Sequence, residues 1–287
     1  MGLLPYGTLV DESFAHSFFL QLNGLQSESE AKQWILENEA KNAVGFATPS
    51  EDGMLEYAEY GDDEEIPSGS VFIMTLNGPV MPETSWGVPG LDLLGEQLDW
   101  AIANESISSI VFRLETGGGS AYKLWPFCDK LLAAREQKPI IAHGTGIVAS
   151  AGVAISTHCT ETHADHSSTR VGSIGAAMSH LDMIPWMEKQ GCKYHYVNAP
   201  QNPDKNKEMV ELREGKYDAI QENLGELAKE FHSKTENLRK NLNSDLALTG
   251  NMFNAVRATE LGIIDGLATL EMAVSRAHSL ANQKPNI

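Results

Sequence analysis

Ser150 sits in a run of small residues, Gly144-Thr145-Gly146-Ile147-Val148-Ala149-Ser150-Ala151-Gly152, directly after the apolar stretch Ile140-Ile141-Ala142. A second such run, Leu114-Glu115-Thr116-Gly117-Gly118-Gly119-Ser120, follows Ile110-Val111-Phe112. Both read as β-rich segments that stop at small residues and lead into helices. Open α/β sheets carry their chemistry at the carboxyl ends of such strands. A serine with small neighbours at a strand-to-helix turn presents its hydroxyl unobstructed, as a nucleophile elbow does. A triple glycine lets backbone N–H groups approach a reacting atom closely, because no Cβ intervenes. Acyl transfer needs a nucleophile, a base and donors for the developing oxyanion. Ser150 is the candidate nucleophile. The backbone N–H groups of Ala151 and of Gly118 or Gly119 are the candidate oxyanion donors. The plainer alternatives are a helix N-cap for Ser150 and a tight turn for the glycines.

The elements that must position these residues follow from the pattern of apolar positions. From Ser70 onward strands and helices alternate, which predicts an α/β fold with a mostly parallel sheet. Strands are expected at Val71–Leu76, Ser109–Leu114, Pro139–His143, Glu161–Ala164, Val171–Ala177 and Lys193–Val197. Helices are expected at Leu91–Asn104, Tyr122–Glu136, from Ser150 onward, at Ile184–Gln190, at Phe253–Gly262 and at Leu270–Leu280, with a long polar helix over Asp204–Leu242. Residues 1–45 read as a helical N-terminal extension, with Ser27-Glu28-Ser29-Glu30 as an N-cap-like start. Residues 46–69 read as an acidic linker. They hold Glu51, Asp52, Glu56, Glu59, Asp62, Asp63, Glu64 and Glu65 without an intervening base. Residues 70–280 form the expected main domain and 281–287 a tail.

Composition narrows the function classes. The net charge of −18 argues against a nucleic-acid partner, because phosphate contacts need clustered Lys and Arg. A hydrophobic share of 42% supports a sizeable core rather than global disorder. Three dispersed cysteines, Cys128, Cys159 and Cys192, form no disulfide framework or zinc motif and fit a reducing compartment. The N-terminus reads poorly as a signal peptide, and no apolar run is long enough to span a bilayer. The expectation is a cytoplasmic protein without stable membrane insertion. No Walker, Rossmann or H-E-x-x-H pattern appears in a convincing context, so no cofactor and no metal are predicted.

The order of motifs resembles peptidase family S49 of the ClpP/crotonase superfamily, which includes signal peptide peptidase A and phage head-maturation proteases. The family's Ser-Pro-Gly-Gly loop is matched by Thr116-Gly117-Gly118-Gly119, and its Ala-Ser-Gly-Gly-Tyr by Ala149-Ser150-Ala151-Gly152-Val153. Its Gly-Ser-Ile-Gly is matched in full by Gly172-Ser173-Ile174-Gly175, and a C-terminal motif by Ala258, Leu261, Gly262, Ile263, Ile264 and Asp265. The resemblance implies a ClpP-like β/α spiral and a serine–lysine dyad that cleaves a polypeptide substrate. It places the base at Lys205, given a two-residue loop insertion after Gly191. Lys207, a neighbouring subunit's lysine, or none at all are the alternatives. It makes Ser173 the group that orients the lysine amine. A lysine in this role must be neutral, which burial favours. The histidine of the ClpP relatives falls at Ile174, which leaves His163, His166 and His180 as fallback bases. The resemblance further implies a homo-oligomer and a substrate strand laid beside Gly117–Gly119. Phage capsid or scaffold maturation fits better than clearing signal peptides. The competing class is a non-catalytic peptide-binding or scaffolding protein of this fold that has lost the lysine.

Overall fold

Strands covered on both faces are apolar throughout, and Val71-Phe72-Ile73-Met74 is such a run. The computed structural model describes residues 8–10, 24, 27–50, 54–58 and 65–283. The chain begins with β1 (Thr8–Val10), α1 (Glu28–Lys41), β2 (Gly45–Pro49), β3 (Leu55–Ala58) and β4 (Ser70–Asn77). It continues with α2 (Leu91–Ala103), β5 (Ile107–Thr116), β6 (Gly118–Ser120), α3 (Leu124–Gln137), β7 (Ile140–Ala149) and α4 (Ala151–Thr157). Next come β8 (Glu161–Ala164), β9 (Arg170–Gly172), α5 (Ile184–Lys189), α6 (Lys207–Arg213) and α7 (Asp218–Leu238). The last elements are α8 (Ser244–Ala247), β10 (Met252–Asn254), α9 (Ala255–Glu260), β11 (Gly266–Leu267) and α10 (Leu270–Gln283).

The main sheet has nine strands, and its central path runs β10-β9-β7-β5-β4-β2-β3. Pairings among β4, β5, β7, β8, β9 and β11 are parallel. The pairs β2–β3, β2–β4 and β9–β10 are antiparallel. The expected α/β class with a mostly parallel sheet is the observed one. On one face α2 and α3 bury Leu94, Leu98, Leu124 and Leu131 against Phe72, Met74 and Phe112. On the other, Ala273, Val274 and Ala277 of α10 pack on Val71, Ile73, Val111 and Ile141. Truncating a fully buried leucine such as Leu98 removes about 2–5 kcal/mol.

Several boundaries differ from the sequence expectation. Residues 46–69 are only in part a linker, because β2 and β3 extend the sheet and bury Phe46 and Ala47. Among its described residues the N-terminal extension holds the strand β1 besides its helix. The expected helix start is confirmed as a capping box. Glu30 N–H donates to Ser27 Oγ at 3.2 Å, and Ser27 N–H donates to Glu30 Oε2 at 3.0 Å. The strand expected at Pro139–His143 runs on to Ala149, with Gly144 and Gly146 inside it. The helix expected over Asp204–Leu242 is two helices, α6 and α7, parted at Gly215, where φ is +74°. Lys193–Val197 forms no strand and lies exposed. Phe253 lies in β10 rather than in the helix that follows it. Residues 1–7 and 11–23 of the extension, Glu51, Asp52, Glu59, Asp62, Asp63 and Glu64 of the acidic run, and 284–287 of the tail lie outside the described residues. No helix among the described residues is long and apolar enough to cross a membrane.

Two buried histidines couple this fold to pH. His143 Nε2–H donates to the Ala268 carbonyl at 3.0 Å, and His158 Nδ1–H donates to the Ala154 carbonyl at 2.7 Å. A carbonyl only accepts, so each ring's bonded nitrogen carries the proton. Burial pushes both rings below the ordinary value of 6.5 and outweighs the raising effect of those carbonyls. Below that value the unfolded chain therefore binds protons that the fold does not. Stability should be flat just above neutrality and fall as pH drops below 6.5. Urea denaturation at successive pH values checks this. An unchanged midpoint down to the carboxylate range would refute it.

Candidate active site

Strand β7 carries Ser150 to its position. One edge of β7 pairs with β5. Its other edge pairs first with β8, through Ile141–Gly144, and then with β9, through Ile147–Ala149. Between the two, the register against β5 slips: Leu114 faces Gly144, but Thr116 faces Val148. The extra residues of β7 are absorbed at Gly146, with φ +55°. A Cβ there would lie 2.7 Å from Glu115 Oε1, the end of a flexible side chain, so it is the positive φ that calls for glycine.

Ser150 is the single residue between β7 and α4. It adopts φ 53° and ψ −115°, which costs a non-glycine residue on the order of 1–3 kcal/mol. Both its backbone groups are held. Its N–H donates to the Gly172 carbonyl at 2.9 Å, and its C=O accepts from Ala154 N–H at 3.1 Å. The side chain makes no capping hydrogen bond, so the simple N-cap explanation does not account for this serine. Ser150 is 1% exposed. Ala151 opens α4, so its N–H belongs to the first turn, which has no intrahelical acceptor.

The glycine loop lies against this helix. Gly152 marks the contact: a Cβ there would sit 2.5 Å from Thr116 Cγ2. Gly118, with φ +93°, donates its N–H to Thr116 Oγ1 at 3.1 Å. The Gly118 carbonyl accepts from Val80 N–H at 2.9 Å, and Ser120 N–H donates to the Val80 carbonyl at 2.9 Å. A Cβ on Gly119 would lie 2.0 Å from the Val80 oxygen. The candidate donors of Ala151, Gly118 and Gly119 are thus carried by two elements in direct contact, α4 and β6.

Ser173 follows the residue whose carbonyl binds Ser150, so the backbone sets the two serines side by side. Ser173 has φ 54°, and its N–H donates to the Asn251 carbonyl at 2.9 Å. Asn251 gives no sequence signal for this role, and neither does Thr116 beyond standing before the glycines. Ile174, at the position of the ClpP-type histidine, is buried. Lys205 is exposed, in a turn where Tyr196 Oη–H donates to its carbonyl at 2.6 Å. Lys207 is exposed and pairs with Glu211 at 3.9 Å. Among the described residues no hydrogen bond or ion pair joins either lysine to Ser150 or Ser173. Two of the fallback histidines are engaged with other side chains. His163 pairs with Glu161 at 3.0 Å, and His166 Nδ1 lies 2.8 Å from Ser168 Oγ. His180 lines a groove of about 440 Å³ with Met178, Asp182, Arg213 and Tyr217. A thiol nucleophile is disfavoured at the two buried cysteines. Burial pushes Cys128 well up and Cys159 up to about 12.

Two substitutions separate strain from packing here. Ser150→Gly relieves the left-handed backbone and should raise stability by about 1 kcal/mol. Gly152→Ala drives a methyl into Thr116 and should lower stability by about 1–3 kcal/mol. Urea or thermal midpoints read both, and a destabilised Ser150→Gly protein would contradict the strained elbow.

Comparison with known proteins gives this geometry a family. A family model described as Peptidase family S49 matches residues 133–284, just over half of the chain. The matched span holds Ser150, Ser173, Lys205 and Lys207 and begins after the glycine loop. The "Head-tail preconnector protein GP5" of Enterobacteria phage P21 is 22% identical over 66% of this chain, which spans 36% of that protein. A Synechocystis protein with a provisional protease name is 26% identical over 64% of this chain and 67% of its own length. One from Methanocaldococcus jannaschii, also provisionally named a protease, is 22% identical over 64% of this chain and 60% of its own length. Among solved structures, an enoyl-CoA hydratase/isomerase family member aligns with TM-score 0.44 and 14% identity, covering 77% of this chain and 76% of that one. The chain belongs to peptidase family S49.

Proposed function

We propose that this protein is a serine endopeptidase in which Ser150 is the nucleophile. The observation that carries the reading is the Ser150 elbow, held in a strained conformation against the Thr116–Gly119 loop with its hydroxyl left out of helix capping. In the proposed reaction Ser150 Oγ attacks the scissile carbonyl and passes its proton to a lysine amine. The N–H of Ala151 and that of Gly118 or Gly119 receive the oxyanion. The lysine then protonates the leaving amine, and water releases the acyl group from Ser150.

Lys205 is the proposed base, with Ser173 orienting it. No residue from Gly175 to Ala219 is buried, and Trp186, Met187, Tyr194 and Val197 are exposed on this same arm. A homo-oligomer in which a neighbouring copy covers the arm would bury those side chains and bring a Lys205 out of water, where a lysine more readily becomes a base. The phage relative's printed name, a head-tail preconnector, favours a capsid or scaffold protein as substrate. The exposure of Lys205 within one chain also supports the second reading, a peptide-binding scaffold without catalysis.

Cleavage of casein by wild type, Ser150→Ala and Lys205→Ala, read beside labelling by a fluorophosphonate probe, separates these readings. Wild type should cut and label. Both variants should lose at least about a thousandfold in rate, while Lys207→Ala retains activity. A wild type that neither cuts nor labels supports the scaffold. A fully active monomer in solution would remove the shared site.

A further inference from the structure

Strand β6 has two edges, and one of them is taken by the chain's own N-terminal segment. Successive residues of a strand point their backbone groups to opposite edges. The Gly118 carbonyl and the Ser120 N–H both bond Val80, so the Gly119 N–H and C=O face the other way. On that side lies β1, antiparallel, with Leu9 opposite Gly119, Val10 opposite Gly118 and Thr8 opposite Ser120. Gly119 is buried, and buried backbone groups require partners. The edge therefore needs an extended segment, and Thr8-Leu9-Val10 supplies it. Strand β6 is also in direct contact with α4, which Ser150 opens.

The segment is also held close. Helix α1, which follows it in the chain, docks on the loop that carries Val80. Asn38 Nδ2–H donates to the Trp86 carbonyl at 3.1 Å, and Trp34 meets Trp86 edge-on at 6.2 Å. The close approach to Gly87 leaves no room for a Cβ, which would lie 2.3 Å from the Ile35 oxygen. Asn42 closes the join: its Oδ1 accepts from Asn77 N–H at 2.6 Å, and its Nδ2–H donates to the Asn77 carbonyl at 3.0 Å. A strand tethered this way acts at an effective concentration of roughly millimolar.

We infer that Thr8-Leu9-Val10 occupies, within one chain, the position of a substrate strand, so that the protein is self-inhibited and any peptide must displace β1. This rests on the peptidase reading for its consequence but not for its geometry. The displaced sequence also indicates the ligand: an extended stretch with aliphatic residues at consecutive positions.

Leu9→Pro in the full chain tests it, because proline cannot donate the central N–H of β1. Two readouts are needed. Fluorophosphonate labelling of Ser150 should be about fivefold faster in Leu9→Pro than in wild type, reflecting one lost backbone hydrogen bond. A fluorescein-labelled peptide of residues 5–14 should bind Ser150→Ala/Leu9→Pro and bind Ser150→Ala at least about fivefold more weakly. The second readout needs no catalysis. If neither wild type nor Leu9→Pro labels, the peptidase reading fails while peptide binding still decides the inference. Equal peptide binding by both proteins overturns it. A variant lacking residues 1–10, with its fold checked by circular dichroism, repeats the comparison should Leu9→Pro unfold.

Discussion

Along one edge β7 bonds β5 throughout, while along the other it passes from β8 to β9, and the change of partner falls where Gly146 turns. A straight strand could not serve both neighbours. The turn lets the last residues of β7 reach Gly172, whose carbonyl then fixes the N–H of Ser150. An unfavourable φ persists only where the surroundings over-determine it. Here they do, because Ser150 is bonded on one side to β9 and on the other to Ala154 in α4. Ser173 inherits its place from the same strand end. The placement of Ser150 is thus a consequence of backbone pairing, and its side chain takes no part in capping because the backbone does the holding.

Glycine enters where backbones must meet. Gly119 lets β6 approach Val80, and Gly152 seats α4 on Thr116. The loop and the helix share one boundary, and the core beneath them, through Leu114, Val148, Ala151 and Val153, is continuous. The opposite face of the sheet, covered by α10, has its own smaller core. The site therefore stands over the larger of two packed layers, while the arm from Ala177 to Ala219 contributes to neither.

Much of this was readable from residue types. Apolar runs such as Val71–Leu76 announced the central strands, and the small residues around Ser150 and Gly118 marked the elbow and the loop. What escaped was set by tertiary pairing. Gly144 and Gly146 look like a strand end because glycine is a poor strand former, yet the bulge against β5 keeps them within β7. Phe46 and Ala47 lie beside an acidic run and were hidden by it, although they pair with β4. Lys193–Val197 has strand-like residues but pairs with no strand and stays exposed. The carbonyl of Asn251 holds Ser173 through a main-chain atom, which no side-chain identity can signal. Lys205, the proposed base, is the hardest case, because whether it can serve Ser150 depends on how an exposed arm is placed rather than on spacing along the chain.

The antiparallel pairing of β9 with β10 also has a bearing on time. Met252 lies opposite Gly172, and Asn251 holds Ser173, so the ledge beside Ser150 is finished by residues far downstream of it. A ribosome makes the chain from its amino end. The glycine loop, the elbow and the N-terminal strand are all synthesised before β10 exists. While translation is in progress Ser150, the proposed nucleophile, has no complete support, and the candidate site is assembled only after most of the described chain has been delivered.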